Sequence, residues 1–369
     1  MIRLSNLAPD YIRAIAPYQG GKPISEIARE FGIDEADIVK LASNENPLGM
    51  SPKAQAAVED AMLDIARYPD GNSYALRKAV SQKFNVARNQ IVFGNGSNDI
   101  LELSARAFLQ VGDEVIYSQH AFAVYPLVTQ AVGATGVVVP AKEFAHDLDG
   151  FLKAITAKTR LIFIANPNNP TGTLIDKATL KAFLKQVPES ILVVLDEAYD
   201  EYLSSDDKSE ALGWLNTFEN LIISRTFSKA YGLAGLRVGF GLMHADIADI
   251  LNRIRQPFNV NAIAQAAAVA SLADDEFVAR SYAANQAGML QLTQGFNQLG
   301  LSYIDSYANF ISFEVKNAAR VNQKLLEGGI IVRPVANYEL PNYLRVSIGL
   351  FSENQRFLEA LALIVKDND

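Results

Sequence analysis

The chain has 369 residues, 49% hydrophobic and 20% charged, with 33 basic against 41 acidic side chains and a net charge of −8. That length fits a large domain plus a smaller one, the composition excludes a disordered chain, and the acidic balance argues against nucleic-acid binding through bulk charge while allowing a local pocket for a small anion. The absence of cysteine excludes disulfides, thiolate metal sites and cysteine nucleophiles and fits the cytoplasm, and the three histidines, His120, His146 and His244, are too scattered for a metal site.

The chain starts Met1-Ile2-Arg3-Leu4-Ser5-Asn6, without the charged start, apolar run and small-residue cleavage site of a signal peptide. No stretch reaches the apolar length of a membrane span, so no membrane partner is expected. Residues 1–40 read as an arm followed by a short helix, started by Pro23 and closed by Gly32. Residues 43–49 form a polar loop with turn chemistry. Ser51-Pro52 opens an amphipathic helix with Ala54, Ala57, Val58, Ala61 and Ile65 on one face.

From residue 90 the pattern changes to short, β-branched, nearly continuous apolar runs at 91–93, 115–117, 137–139, 161–164, 191–195 and 221–223. Strands buried on both faces look like this. Helical patterns, for example 99–109 and 177–185, separate most of them. The alternation predicts an α/β fold, a mostly parallel central sheet flanked by helices. The run 237–242 suits one antiparallel strand. The alanine-rich run 262–273 reads as a buried helix. Beyond about residue 275, strand patterns at 310–315, 330–333 and 343–348 and a helix around 318–327 predict a smaller α+β domain. Ser352 and Gln355 read as a capping box for the last helix. The expected division is an arm at 1–40, a large domain at 41–275 and a small domain at 276–369.

Five features carry chemistry. Lys229, in Thr226-Phe227-Ser228-Lys229, follows an apolar strand. It suits either a buried lysine kept neutral or bonded as a Schiff base, or a strand-end lysine reaching solvent. Asp196, in Asp196-Glu197-Ala198-Tyr199, stands where open α/β sheets bind ligands and can pair with a buried cation; a helix-capping aspartate fits there too. Gly94-Asn95-Gly96-Ser97-Asn98 joins a strand to a helix whose first N–H groups suit a phosphate. It matches neither a Walker loop nor a dinucleotide fingerprint, and a plain turn remains open. Asn166-Pro167-Asn168-Asn169-Pro170-Thr171-Gly172 is a rigid turn that can aim an amide into a cleft. Gly235-Leu236-Arg237-Val238-Gly239 holds an arginine suited to a phosphate. All five lie at ends of predicted strands in one sheet, and together they meet the needs of a bound pyridoxal phosphate, whose ring nitrogen must stay protonated.

The Asn-Pro-Asn-Asn-Pro-Thr-Gly, Asp-Glu-Ala-Tyr and Ser-Lys-…-Gly-Leu-Arg-Val-Gly segments resemble the fold-type I aminotransferases that use pyridoxal phosphate. Asn44-Glu45-Asn46-Pro47, Arg67-Tyr68-Pro69 and Tyr343-Leu344-Arg345-Val346-Ser347 are similar to the histidinol-phosphate aminotransferase family, and the likeness spans nearly the whole chain. The resemblance implies that Lys229 carries the cofactor covalently and moves the proton. It pairs Asp196 with the ring nitrogen and puts Tyr199 and Asn169 on the ring's phenolic oxygen. Ser97, Asn98, Thr226, Ser228 and Arg237 would hold the cofactor phosphate. Tyr68 would reach that phosphate from the other subunit of a homodimer. Arg345 would bind the α-carboxylate of the donor, with Tyr18, Arg333 and Asn46 as further substrate contacts. Phe122 stands where several members of the family stack a tyrosine on the ring; an aromatic face suffices for stacking.

The implied reaction moves an amino group from L-histidinol phosphate to 2-oxoglutarate, giving imidazole acetol phosphate and L-glutamate. An aminotransferase for aromatic amino acids or prephenate is the nearest alternative. A phosphothreonine decarboxylase, which resembles the same family, and a nucleotide-binding regulator built on the 94–98 turn are more distant ones.

Overall fold

The computed structural model describes residues 3–18 and 20–366. Met1 and Ile2, at the start where no signal peptide is expected, Gln19, and residues 367–369 at the end of the expected small domain lie outside the described residues. Eight strands precede residue 250: β1 (Val39–Lys40), β2 (Ile91–Gly94), β3 (Glu114–Ser118), β4 (Thr135–Val139), β5 (Thr159–Ala165), β6 (Leu192–Asp196), β7 (Leu221–Thr226) and β8 (Gly239–Met243). Strands β2 to β8 form one seven-stranded sheet in the order β2-β8-β7-β6-β5-β3-β4. Its pairs are parallel except the two made by β8, which runs against both β2 and β7. The run that reads as an antiparallel strand is β8, shifted two residues so that Arg237 stays in the preceding turn.

Successive side chains of a strand point to opposite faces, and here both faces are dry. Ile162, Ile164, Val193, Leu195, Leu221 and Ile223 join one core, while Leu161, Phe163, Val194 and Ile222 join the other. Every one of these is at most 1% exposed, which is why the runs show no polar alternation. The alanine-rich helix, Ala262–Leu272, buries Ala264, Ala267 and Ala268 against the first core.

The C-terminal part carries β9 (Tyr303–Ile304), β10 (Phe310–Glu314), β11 (Ile330–Ile331), β12 (Arg333–Pro334) and β13 (Tyr343–Ser347). Four of them make an antiparallel sheet in the order β12-β13-β10-β9. The expected strand at 330–333 is therefore split. Its first half, β11, pairs in parallel with β1, and its second half, β12, places Arg333 opposite Arg345.

Several details differ from the sequence reading. The N-terminal segment is tied to the smaller sheet: Ile27, Ile38 and Ala42 share a core with Leu326 and Ile331, and Leu41 N–H donates to Ile331 O at 2.7 Å. A boundary at 40/41 cuts through that contact. A 25-residue helix, Asp275–Leu299, has no counterpart in the predicted elements. Its start packs Val278 on the large core and its end buries Leu292 and Phe296 in the small one. Last, the helix Phe351–Lys366 has no Ser352–Gln355 box; Glu353 Oε2 accepts from Leu350 N at 2.7 Å, and Gln355 reaches Glu359. The helix opened by Ser51, whose Oγ accepts from Ala54 N, ends at Ala61, leaving Ile65 exposed beyond it. No helix among the described residues is long and apolar enough to cross a membrane.

Candidate active site

The carboxyl ends of β2, β3, β5, β6 and β7 meet the start of β8 along one edge of the sheet, and a cavity of about 220 Å³ opens there. Its wall includes Ser97, Asn98, Phe122, Asn169, Asp196, Tyr199, Thr226, Ser228, Lys229 and Arg237 from the large-sheet side. Tyr18, Arg333 and Arg345 close it from the N-terminal segment and the small sheet. Ligands in open α/β sheets bind at this edge because each loop leaving a strand can aim one side chain without disturbing the core.

Asp196 is the last residue of β6 and is 5% exposed. Its Oδ2 accepts from Tyr125 Oη at 3.0 Å. Its Oδ1 is buried and has no hydrogen-bond partner. Burial, with no cation bonded to it, pushes the carboxyl up to about 6. An unpaired carboxylate oxygen on a cavity wall fits a protonated ring nitrogen, which would supply the missing donor.

Lys229 sits in the turn after β7. Its residue is open to the cavity, but its ammonium lies deep among protein atoms and donates to Ser43 O at 3.0 Å. Burial, then the positive charge of Arg345 and of Arg237, pulls it down to about 8, against the opposing pull of Glu45 and Asp196. A lysine with so low a proton affinity is a usable nucleophile and base near neutral pH. Tyr199 accepts at its Oη from Asn44 Nδ2 at 3.0 Å. Burial pushes its phenol up to about 12, so it stays a donor.

The phosphate-sized end of the cavity is built from glycine. Gly96 has φ +84° and caps the helix Ser97–Phe108, whose first N–H groups face the cavity. A Cβ on Gly96 would stand 2.7 Å from Arg237 Nη2. A Cβ on Gly239 would stand 2.5 Å from the Ser97 nitrogen. Arg237 itself is in the left-handed region at φ +56°. Its guanidinium donates to Asn95 O at 3.3 Å and to Ser228 Oγ at 3.4 Å. Ser228 N–H donates to Thr226 Oγ1 at 3.1 Å. Helix terminus, hydroxyls and guanidinium thus converge where a phosphate would be held.

The other end is cationic. Arg345 donates from Nη1 to Asn169 Oδ1 at 2.6 Å and from Nη2 to Ala42 O at 2.9 Å, both neutral partners, and its Nε is buried without one. Arg333 faces it across the β12–β13 ladder and lies over the Tyr18 ring at 5.7 Å. Like charges directly opposite one another on a ladder are unfavourable unless an anion sits between them.

Asn46 is elsewhere, and Tyr68, expected to act across a dimer, lies outside its own chain's cavity. Asn46 does not reach the cavity: its Nδ2 donates to Ala230 O and Ser281 Oγ, both at 2.8 Å, and its Oδ1 accepts from Leu48 N at 3.0 Å. Asn44, two residues earlier and at φ +54°, lines the cavity in its place. Tyr68 is 84% exposed, stacked on Phe258 with centroids 4.9 Å apart, outside the cavity of its own chain. Of the asparagines in the 166–172 turn, only Asn169 lines the cavity; Asn166 and Asn168 hold the turn through Ile175, His120 and Thr171. Tyr125 and Tyr338 belong to the site without a motif of their own. Tyr125 lies in the helix Val124–Ala131 just after Phe122, and no spacing in the sequence marks it.

The family model for aminotransferase classes I and II matches residues 36–361. The chain is 68% identical to the histidinol-phosphate aminotransferase of Methylobacillus flagellatus, over 99% of each chain. It is 57% identical to histidinol-phosphate aminotransferase 2 of Nitrosospira multiformis, over 100% of this chain and 94% of the relative. Its fold superposes on the crystal structure of histidinol-phosphate aminotransferase from Sinorhizobium meliloti in complex with pyridoxal 5'-phosphate with a TM-score of 0.91, at 27% identity and 98% coverage of both chains.

Proposed function

The chain belongs to the class I and II aminotransferases, and from that premise we propose that it exchanges the amino group of L-histidinol phosphate with 2-oxoglutarate, yielding imidazole acetol phosphate and L-glutamate in L-histidine biosynthesis. Its cofactor is pyridoxal 5'-phosphate. One observation supports both halves of the reading: a single cavity holds Lys229 and the unpaired Asp196 Oδ1 at one side and two facing guanidiniums, Arg333 and Arg345, at the other.

Bound there, the cofactor supplies an electron sink that stabilises negative charge at the substrate's α-carbon. The chain's own residues do the rest. Lys229 Nζ would carry the cofactor and, as a free neutral amine, would move the proton at the substrate's α-carbon. Asp196 Oδ1 would accept from the ring N–H and keep that proton in place. Tyr199 Oη, its lone pair already bonded by Asn44, donates to the ring's phenolic oxygen together with Asn169. Ser97 and Asn98 N–H, Thr226, Ser228 and Arg237 grip the cofactor phosphate. Phe122 would offer an aromatic face to the ring. Arg345 and Arg333 bind the carboxylate of one donor and the phosphate of the other, with Tyr18 beside them.

The reading includes a homodimer in which Tyr68 of one subunit completes the partner's site. It is supported by the exposure of Tyr68 beside Met62, Leu63 and Ile65, each more than half exposed. A cytoplasmic location completes it, consistent with a chain lacking cysteine. The test is a spectral titration of the holoenzyme with L-histidinol phosphate, L-phenylalanine and L-tyrosine. Loss of the visible cofactor band at low histidinol phosphate alone supports the assignment. A preferred response to the aromatic amino acids moves the substrate to the alternative class and keeps the site.

A further inference from the structure

We propose that Tyr338 is a substrate-contacting, specificity-determining residue whose phenol donates to a terminal oxygen of the substrate phosphate between Arg333 and Arg345. The proposal rests on the reaction assigned above and deepens it. Tyr338 ends the short turn Ala336–Tyr338, between β12 and β13, and lines the cavity while only 5% exposed.

The turn is held by the loop at 119–120, which is itself tied to the 166–172 turn. His120 Nδ1 lies 2.7 Å from Tyr338 O, and since a carbonyl only accepts, that nitrogen carries the proton. The carbonyl of His120 in turn accepts from Asn168 Nδ2 at 3.0 Å. Gln119 Nε2 donates to Glu339 Oε2 at 2.5 Å. Tyr338 is thereby fixed to the loop that carries Phe122 and to the turn that carries Asn169. A side chain anchored this way keeps its geometry through a catalytic cycle.

The phenol is aimed at the anion end. Its electrostatic neighbours are Arg345, Tyr18 and Arg333, and the backbone N–H of Ala123 faces its oxygen. Burial raises the phenol above its ordinary value, so it is protonated at neutral pH.

The need for this donor follows from the two substrates. A carboxylate has two oxygens, which one guanidinium fork satisfies. A phosphate monoester has three terminal oxygens and up to twice the charge. Arg345 already donates from Nη1 and Nη2 to Asn169 and Ala42, so the phosphate's additional oxygen and charge leave a place for a further donor. Tyr338 is the group that discriminates the phosphate-bearing donor from the dicarboxylate.

The experiment uses the wild-type and Tyr338→Phe holoenzymes in separate half-reactions with L-histidinol phosphate and with L-glutamate, with inorganic phosphate as a competing probe. One hydrogen bond to a charged group corresponds to about a tenfold change. For histidinol phosphate, kcat/KM falls about tenfold, chiefly through KM, and the inhibition constant of inorganic phosphate rises by a similar factor. The glutamate half-reaction changes less than about twofold on the same scale, and the visible cofactor band is unmoved. Equal losses with both donors, a displaced or missing band, or unchanged kinetics with histidinol phosphate would each overturn the role of Tyr338. A wild-type enzyme that ignores histidinol phosphate while using glutamate overturns the assigned reaction, and the proposal with it, before any variant is compared.

Discussion

Tyr125 Oη donates to Asp196 Oδ2 at 3.0 Å, and this bond decides which carboxylate oxygen faces the cavity. Tyr125 is fully buried and stacked on Phe163, centroids 4.7 Å apart, so the phenol cannot follow a moving carboxylate. Its proton stays on because burial and the neighbouring Asp196 hold it well above the ordinary tyrosine value. Tyr125→Phe removes the one side-chain donor to Asp196 and leaves its carboxylate more dependent on what enters the cavity. The loss of one charged hydrogen bond, about 1.5–3 kcal/mol, predicts pyridoxal phosphate binding weakened on the order of ten- to a hundredfold. Equilibrium dialysis of the cofactor measures it; unchanged affinity would show that Asp196 needs no support.

Lys229 gives a prediction in pH. Only the neutral amine attacks, and burial beside Arg345 and Arg237 lowers this lysine from 10.5 to about 8. Growth of the visible band after pyridoxal phosphate is added to apoprotein should accelerate as pH rises to about 8 and level off above it. An ordinary lysine would keep accelerating toward 10.5. Lys229→Ala should show neither the covalent band nor turnover, and activity retained in that variant would sink the assignment.

Asp196 predicts a stability effect of opposite sign in apo and holo protein. Its folded value of about 6 exceeds the ordinary 3.8, chiefly through burial. A carboxyl raised in this way stabilises the fold below about pH 4, and that contribution is lost as pH rises through about 6. At pH 7.5 ionised Asp196 therefore costs apoprotein up to about 3 kcal/mol. Asp196→Asn apoprotein should unfold at higher urea than wild-type apoprotein at pH 7.5, with the gap closing near pH 4. With pyridoxal phosphate present the order should reverse, because the ring N–H then partners the carboxylate.

The large sheet was legible because its strands are dry on both faces, so runs such as 161–164 and 221–223 show directly. The site residues attached to those strand ends, Asp196, Asn169 and Lys229, came with them. What failed to show depends on contacts distant in sequence. Asn44 and Asn46 share one polar loop, and only the tertiary bonds of Asn46 to Ala230 and Ser281 turn it inward. Tyr338 has no motif, since its place is set by His120, more than two hundred residues away. The helix Asp275–Leu299 serves two cores in succession, so its apolar stripe changes face and its period is blurred.

Arg225 and Glu197 stand one residue from Thr226 and Asp196, behind the site. Arg225 is 6% exposed and donates from Nε and Nη2 to Glu197 Oε2 at 3.1 and 2.6 Å, and from Nη1 to Asp200 Oδ2 at 2.8 Å. Glu201 Oε1 lies 3.5 Å from Nη1. Ser209 and Lys208 complete the carboxylates' partners. The pair joins the ends of β6 and β7, so it fixes the spacing between the ring-nitrogen partner and the phosphate grip. Arg225→Met leaves three buried carboxylates facing the vacated space, a loss of about 3–5 kcal/mol for a broken buried pair. Glu201 is already pushed up to about 7 by burial, with Arg225 opposing that shift. Without the arginine, Glu197 and Glu201 rise further and Asp200 loses one of the charges that hold it low, and groups raised on folding lose their stabilising contribution as pH increases. The variant should therefore be weakest in urea at pH 8 and recover toward pH 5.5. A deficit independent of pH would mean that lost packing, rather than stranded charge, causes the damage.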